Sequence, residues 1–168
     1  RILLSYSNKI NISIIRPATV CGLSPRMRLD VSVNMLTYQA LKNRKITVFG
    51  GSQIRPNIHI DDLVDLYVYF LKDDKKLNGI FNAGFENLSI NQIAKNISKV
   101  VKSEIIFLKN TNDKRSYKVD SSKLNRIGFY PKKNVSIAIQ EIQTFFKKQN
   151  LNKINKNSFS ISWLKKKE

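Results

Sequence analysis

The stretch from Arg44 to Asp62 admits few local structures. Ile46, Val48 and Phe49 are β-branched or aromatic, the residues that fit a pleated, half-buried surface. Gly50 and Gly51 follow, and glycine takes positive φ without the steric cost of a Cβ. Ile58 and Ile60 then alternate with Asn57 and His59, the period of a half-buried strand. Asp61 or Asp62 stands where a carboxylate accepts hydrogen bonds from the free N–H groups of a following helix. The order predicted is strand, glycine turn, strand, helix. Arg55 is expected on a loop between the two strands, an arrangement suited to gripping a phosphate.

The flanking sequence extends this into an α/β pattern. Residues 1–9 read as the end of a helix, with Ile2, Leu3 and Tyr6 on one face. Asn11 to Arg16 is a short apolar run, predicted as a buried parallel strand whose pairing ends at Pro17. Ala18 to Pro25 is a loop leaving its carboxyl end, the edge where open α/β sheets bind ligands. A helix is predicted from Asp30, as N-cap, to Leu41, and Leu63, Val64, Tyr67, Val68 and Leu71 mark the apolar stripe of another. After the turn at Asn78-Gly79, Ile80 to Gly84 is a short strand. Ser89 and Gln92 have capping-box spacing ahead of a helix that buries Ile93, Ile97, Val100 and Val101. Glu104 to Leu108 is a strand, Asn110 to Ser116 a polar loop and Tyr117 to Asp120 extended. Ser121 or Ser122 caps a short helix stopped by Gly128 and Pro131, and Val135 to Phe146 forms the last helix. Beyond Lys147 the chain is rich in Lys and Asn and is expected to fray, although Phe159, Ile161, Trp163 and Leu164 are able to dock.

With 168 residues, 42% of them hydrophobic and 25% charged, the chain is long and apolar enough for one globular core. No apolar run is long enough to cross a bilayer, and the opening residues do not read as a secretory signal. Cys21 is the only cysteine, so no internal disulfide forms and a reducing cytoplasm is the default location. The chain opens on Arg1, inside an amphipathic pattern, and is read as a fragment. Lys and Arg number 30 against 12 acidic residues, a formal charge of +18 that attracts polyanions. The lysines are scattered among Asn, Ile and Ser, and aromatic residues do not alternate with basic ones on a strand face, as a single-strand binder requires. A non-catalytic nucleic-acid or polyanion-binding module is therefore the competing reading and not the leading one. No Cys, His, Asp and Glu residues have metal-ligand spacing, so no metal is expected. His59, the only histidine, is assigned a packing or hydrogen-bonding role, and Asp61 and Asp62 a helix cap.

Several segments in order resemble the C-terminal half of the extended short-chain dehydrogenase/reductases, the NAD-dependent epimerase/dehydratase group that acts on nucleotide sugars. They are Ile14 to Gly22, Val33 to Leu36, Arg44 to Asp62, Phe81 to Gly84, Arg115 to Asp120, Ser122 to Leu124 and Gly128 to Pro131. The resemblance implies a fold class of α/β: the tail of a Rossmann-type parallel sheet (residues 1–24), a small α/β substrate-binding part (25–148) and a basic tail (149–168). It implies NAD, with NADP open, as cofactor, a nucleoside diphosphate sugar as ligand, no membrane partner, and a possible homodimer through helices outside this chain. The family's glycine-rich turn and its catalytic Tyr-x-x-x-Lys pair are expected upstream of Arg1, and no catalytic residue is assigned here. Tyr6-Ser7-Asn8-Lys9 imitates that pair with the wrong spacing.

The substrate-side roles carry over position by position. Arg55 and Arg115 resemble the two arginines that grip the diphosphate, and Asn34 a diphosphate contact from the start of its helix. Thr47, Val48 and Phe49 resemble the strand beside the base and ribose. Ala18 and Thr19 stand where the family loop meets nicotinamide and sugar. Many members carry Asn at the Thr19 position, a departure that leaves a hydroxyl in place of an amide. Arg26 and Arg28 are read as solvated loop charges. The reaction implied is oxidation of a sugar hydroxyl and return of the hydride, with 4-epimerisation leading and dehydratase, decarboxylase and reductase chemistry as alternatives.

Overall fold

The computed structural model describes residues 2–72, 77–109, 115–149 and 158–159. Seven strands and five helices alternate along them: β1 (Ser13–Pro17), β2 (Thr19–Cys21), α1 (Ser32–Asn43), β3 (Lys45–Phe49), β4 (Ile54–His59), α2 (Ile60–Lys72), β5 (Gly79–Ala83), β6 (Glu86–Ser89), α3 (Ile90–Val101), β7 (Glu104–Leu108), α4 (Ser122–Arg126) and α5 (Val135–Lys148).

Three parallel pairings carry the architecture. β1 runs beside β5 with Ile15 opposite Phe81, β2 beside β4 with Val20 opposite Ile58, and β3 beside β7 with Thr47 opposite Ile106. β6 joins the other edge of β4 in antiparallel register, Arg55 facing Leu88. Pro56 lies on β4 opposite Asn87, beyond the part of β4 that β2 pairs with. Proline is tolerated where the ladder does not call on its missing N–H.

Two apolar centres fill the space between the elements. One joins α1, α3 and α5 over β3 through Val33, Leu36, Ile46, Val48, Ile93, Ile97 and Ile139. The other packs Leu63 and Leu66 of α2 and Leu124 of α4 against Phe81 and Ile58. The predicted capping box of α3 is present, with Ser89 Oγ accepting from Gln92 N and Gln92 Oε1 from Ser89 N. Gly50 and Gly51 have φ of 72° and 103°, as the turn after β3 demands. A Cβ on Gly51 would lie 1.9 Å from Asn91 Oδ1, so the turn also needs the bare backbone.

Several local expectations are corrected. Residues 1–9 form only a 3-10 turn over Leu3–Tyr6 with nothing buried. β1 is half-buried to exposed, because among the described residues only β5 pairs with it. Part of the expected loop from Ala18 is strand β2, and Glu86–Ser89 is a strand with no β-branched residue to announce it. α1 starts at Ser32 after Val31, because Asp30 is drawn instead into an ion pair with Arg28 (Nε to Oδ1 2.9 Å). Ile60 belongs to α2 and not to the strand, and Arg55 is within β4 and not on a loop. The α2 stripe faces outward: Val64, Tyr67, Val68 and Leu71 are exposed, while Leu63 and Leu66 are buried. Of the tail residues expected to dock, Phe159 meets Tyr38 edge-on at 6.1 Å, and Ile161, Trp163 and Leu164 lie outside the described residues.

The expected carboxylate cap of α2 is also corrected. His59 Nδ1 accepts from Asp61 N at 3.1 Å, so it is the imidazole that satisfies a first-turn N–H. That leaves Nε2–H to donate to Glu141 Oε2 at 3.1 Å. Asp62 reaches away from its helix and accepts from the backbone N–H groups of Lys132 (2.8 Å) and Lys133 (3.1 Å). At α4 the capping acceptor is Asp120 Oδ1, which takes the Ser122 N–H and with the Ser122 hydroxyl holds that carboxyl below its ordinary range. Ser121 instead accepts from Gly84 N and donates to Gly84 O.

Candidate functional site

Two adjoining hollows lie where β1, β3 and β5 end and β2 and β4 begin. The first, of about 360 Å³, is lined by Thr19 of β2, by Asp30, Val31 and Ser32 at the start of α1, by Thr47 and Phe49 of β3, and by Arg55, Arg115 and Tyr117. The second, of about 540 Å³, includes Arg16, Ala18, Thr19, Arg28, Val31, Asn82 and Tyr117. Thr19, Val31 and Tyr117 belong to both and form the neck between them.

A strap running from Arg115 to Ser121 supplies one wall, and it is fastened along its length to β4, β5 and β6. Ser116 Oγ accepts from Ile54 N at 3.0 Å and Tyr117 N donates to Ile54 O. Asn87 pairs with Val119 through both amide atoms, donating to Val119 O and accepting from Val119 N. Arg55 Nη1 donates to Ile54 O and to Arg115 O, so one arginine of the hollow steadies the backbone of the other. A guanidinium carries five N–H donors in a planar fork, a geometry that matches the oxygens of a phosphate.

The start of α1 adds to this hollow. Its N-cap residue, Val31, has no side chain able to accept a first-turn N–H. Free N–H groups at a helix start favour anions. The Ser32 hydroxyl there is buried without a hydrogen-bond partner. Ser32 was missed by sequence reasoning, because an unremarkable serine one residue past a valine carries no local signal.

The residues assigned from sequence divide into those at the hollows and those beneath them. Thr19, Thr47, Phe49, Arg55 and Arg115 line the first hollow, and Ala18 the second. Val48 of β3 is fully buried in the core. Asn34 is buried beneath the loop, its amide donating to Arg28 O at 3.0 Å and its carbonyl oxygen accepting from Gly22 N at 3.1 Å. Neither lines a hollow. Arg28 lines the second hollow while paired to Asp30, and Arg26 is exposed outside both. Tyr38 and Lys42 have the Tyr-x-x-x-Lys spacing, which the sequence reading overlooked. The Lys42 ammonium lies 5.7 Å over the Tyr38 ring, and the ring packs on Phe146, away from both hollows.

Behind β4 lies a polar cluster that spacing in sequence did not reveal, since its members are up to 82 positions apart: His59, Asp61 and Glu141. Their ligand atoms are engaged. Lys133 Nζ donates to Asp61 Oδ2 and Glu141 Oε1, both at 2.6 Å, and these bonds raise the lysine pKa. Cys21 sits below, its thiol pushed up to about 12 by burial and secondarily by the Glu86 carboxylate, so it is no nucleophile at neutral pH.

Glu86 itself is raised above the ordinary carboxylate range, first by burial, while the Val135 N–H that it accepts pulls the other way. Because the folded value exceeds the unfolded one, ionising Glu86 costs stability as pH rises through that raised value. Glu86→Gln keeps an oxygen for the Val135 N–H and removes the charge. It is expected to melt above the wild type at neutral pH, with the gap closing below about pH 4, where both states are protonated. Thermal melts across that range measure it.

Parallel strands with helical crossovers and hollows at the carboxyl ends of β1, β3 and β5 define a Rossmann-like α/β protein. Solved structures with this fold include a UDP-glucuronic acid 4-epimerase from Bacillus cereus in complex with UDP-glucuronic acid and NAD (TM-score 0.69, 29% identity, 87% of this chain and 48% of that one). A UDP-N-acetylglucosamine 4-epimerase from Bacillus cereus matches with TM-score 0.73 and 23% identity over 89% of this chain and 51% of that one. An NAD-dependent NDP-hexosamine 5,6-dehydratase involved in tunicamycin biosynthesis matches with TM-score 0.72 and 19% identity over 90% and 52%. This chain spans about half the length of these structures. Residues 1–84 match the model of the NAD dependent epimerase/dehydratase family, and the chain belongs to that family.

Proposed function

We propose that this chain supplies the sugar-nucleotide side of an NAD(P)-dependent nucleotide-sugar epimerase or dehydratase, with 4-epimerisation the favoured reaction. The observation that carries the reading is the pair Arg55 and Arg115, 60 positions apart, on one hollow that also takes in the uncapped start of α1. Each charge-assisted hydrogen bond from such a group to a phosphate oxygen contributes about 1.5–3 kcal/mol. Thr47 and Phe49 offer the wall for base and ribose, and Thr19 a hydroxyl for the sugar. In this reading residues 1–24 belong with the cofactor domain, 25–148 bind substrate and 149–168 form a tail. The catalytic tyrosine and lysine are supplied by a preceding segment, and the parent is a cytoplasmic enzyme, in which a homodimer would be built by elements outside this chain.

The second hollow fits one side of a flat cofactor ring. The turn from β1 into β2 carries the small residues Ala18 and Thr19 there, and a Cβ on Gly84 would lie 2.7 Å from Ala18 Cβ. When bound, NAD accepts a hydride from the sugar and returns it. The residues of this chain hold and orient: the arginines fix the diphosphate, and the neck sets the depth to which the sugar enters.

The competing reading, a basic polyanion binder, is separated by salt. Titrations of the 168-residue chain with UDP-glucose and with random-sequence DNA at rising ionic strength are expected to diverge. DNA affinity should fall by orders of magnitude between 50 and 200 mM salt, following counterion release. UDP-glucose affinity should fall far less. Equal, steep salt dependence of both ligands would remove the sugar-nucleotide reading.

A further inference from the structure

We propose that Phe159 is a positioning residue for the ligand: it seats residues 158 and 159 of the tail against residues 27–32 and so fixes a wall common to both hollows. In what it says of the ligand, this inference rests on the diphosphate reading of Arg55 and Arg115. Residues 22–31 belong to no helix or strand, so no ladder sets where they lie. Yet Arg28 lines the second hollow, Asp30 and Ser32 line the first, and Val31 lines both. The segment is held from three directions. Met27 and Leu29 are buried against Ile142 and Phe146 of α5. Asn34 Nδ2, on α1, donates to Arg28 O at 3.0 Å. From the tail, Ser158 O accepts from Leu29 N at 2.7 Å.

That last bond has weight because Leu29 is 1% exposed, and an N–H so placed needs an acceptor within the protein. The acceptor is a main-chain carbonyl, and its neighbour holds it there. Phe159 is half-buried and joins the apolar cluster of Met27, Leu29 and Phe146. Its ring meets Tyr38 edge-on, and Tyr38 packs in turn on Phe146 at 5.8 Å. Tyr38 belongs to α1, whose first turn borders the first hollow, so the tail bridges the segment and the helix it leads into. A wall without regular structure opens locally at a low free-energy cost. A ligand that needs the wall in place binds only the seated fraction of molecules, and its apparent affinity falls by that fraction.

The test compares the full 168-residue chain as wild type, Phe159→Ala, Phe159→Leu and Arg55→Ala, by amide hydrogen exchange and by calorimetric titration with UDP. Phe159→Ala is expected to speed exchange of the Leu29 amide about tenfold or more and to weaken UDP about three- to tenfold. The amide of Ile97, in the separate core around α3, should exchange as in the wild type. Phe159→Leu keeps apolar bulk and should recover most of both losses. Arg55→Ala should weaken UDP and leave Leu29 exchange unchanged. If Phe159→Ala leaves Leu29 exchange unchanged, the tail does not hold the segment and the inference is overturned. If Leu29 exchange quickens while UDP binds as before, the wall does not govern the ligand and the inference is again overturned, with the diphosphate reading intact. If Ile97 exchange quickens along with Leu29, Phe159 serves the whole fold and is no positioning residue. If Arg55→Ala leaves UDP unchanged, or the wild type does not bind UDP, the diphosphate reading fails and the inference falls with it.

Discussion

Replacing Arg55 with alanine is expected to weaken UDP binding by about ten- to a hundredfold, since each charge-assisted bond contributes about 1.5–3 kcal/mol and each 1.4 kcal/mol is a decade of affinity. Two effects combine. The guanidinium is lost from the hollow, and so is its bond to Arg115 O, which steadies the strap carrying the second arginine. Arg55→Lys separates them. Lysine keeps the charge as a point and loses the planar fork, so it should recover part of the affinity and not all of it. Arg115→Ala should cost somewhat less, because the Arg55 anchor is the Arg115 carbonyl, which alanine retains. Isothermal titration with UDP reads all three. An Arg55→Ala chain that binds UDP as the wild type does would end the assignment.

The largest expected change in stability comes from Asp62→Ala, a loss of about 3–5 kcal/mol by chemical denaturation. Asp62 is 2% exposed, and each of its carboxylate oxygens accepts one backbone N–H, from Lys132 and Lys133. These bonds tie the loop before α5 to the first turn of α2, across 70 positions of sequence. Alanine removes two charge-assisted bonds and leaves two part-buried donors without partners. Asp61→Ala is the control. Its carboxylate is half-exposed and pairs with Lys133 Nζ, so the loss should stay near the 0–1 kcal/mol typical of surface ion pairs. Equal losses from the two substitutions would show that position in the helix, and not the tie to residues 132–133, governs the effect.

What could be read from the sequence was what is decided within a few residues. The capping box at Ser89, the turn at Gly50-Gly51 and the alternation of short strands with helices are local, and they are in the structure. The family was legible because ordered short segments accumulate specificity that none holds alone. What escaped is decided at a distance. Helical periodicity located a stripe on α2 without telling which side would be covered, and Val64, Tyr67, Val68 and Leu71 proved to be the outward one. The duty of Asp62 lies some seventy positions away and has no trace in its neighbours. Asn34 has the right helix for a ligand contact, but its amide serves Gly22 and Arg28. Glu86 to Ser89 pairs as a strand because β4 offers it an edge, not because its residues favour one. Arg55 and Arg115 share a hollow, which only the fold could bring about.

Each parallel ladder joins distant parts of the chain: Ser13 to Gly79, Thr19 to Asn57, Lys45 to Glu104. No such ladder grows from a local hairpin. Long loops have to close before the first pair rewards them, and topologies of this kind fold in milliseconds to seconds and not in microseconds. Throughout that delay, strands and apolar side chains stand open to other molecules. Refolding of this chain is therefore a race between slow internal pairing and encounter with its own copies, and dilution favours the first.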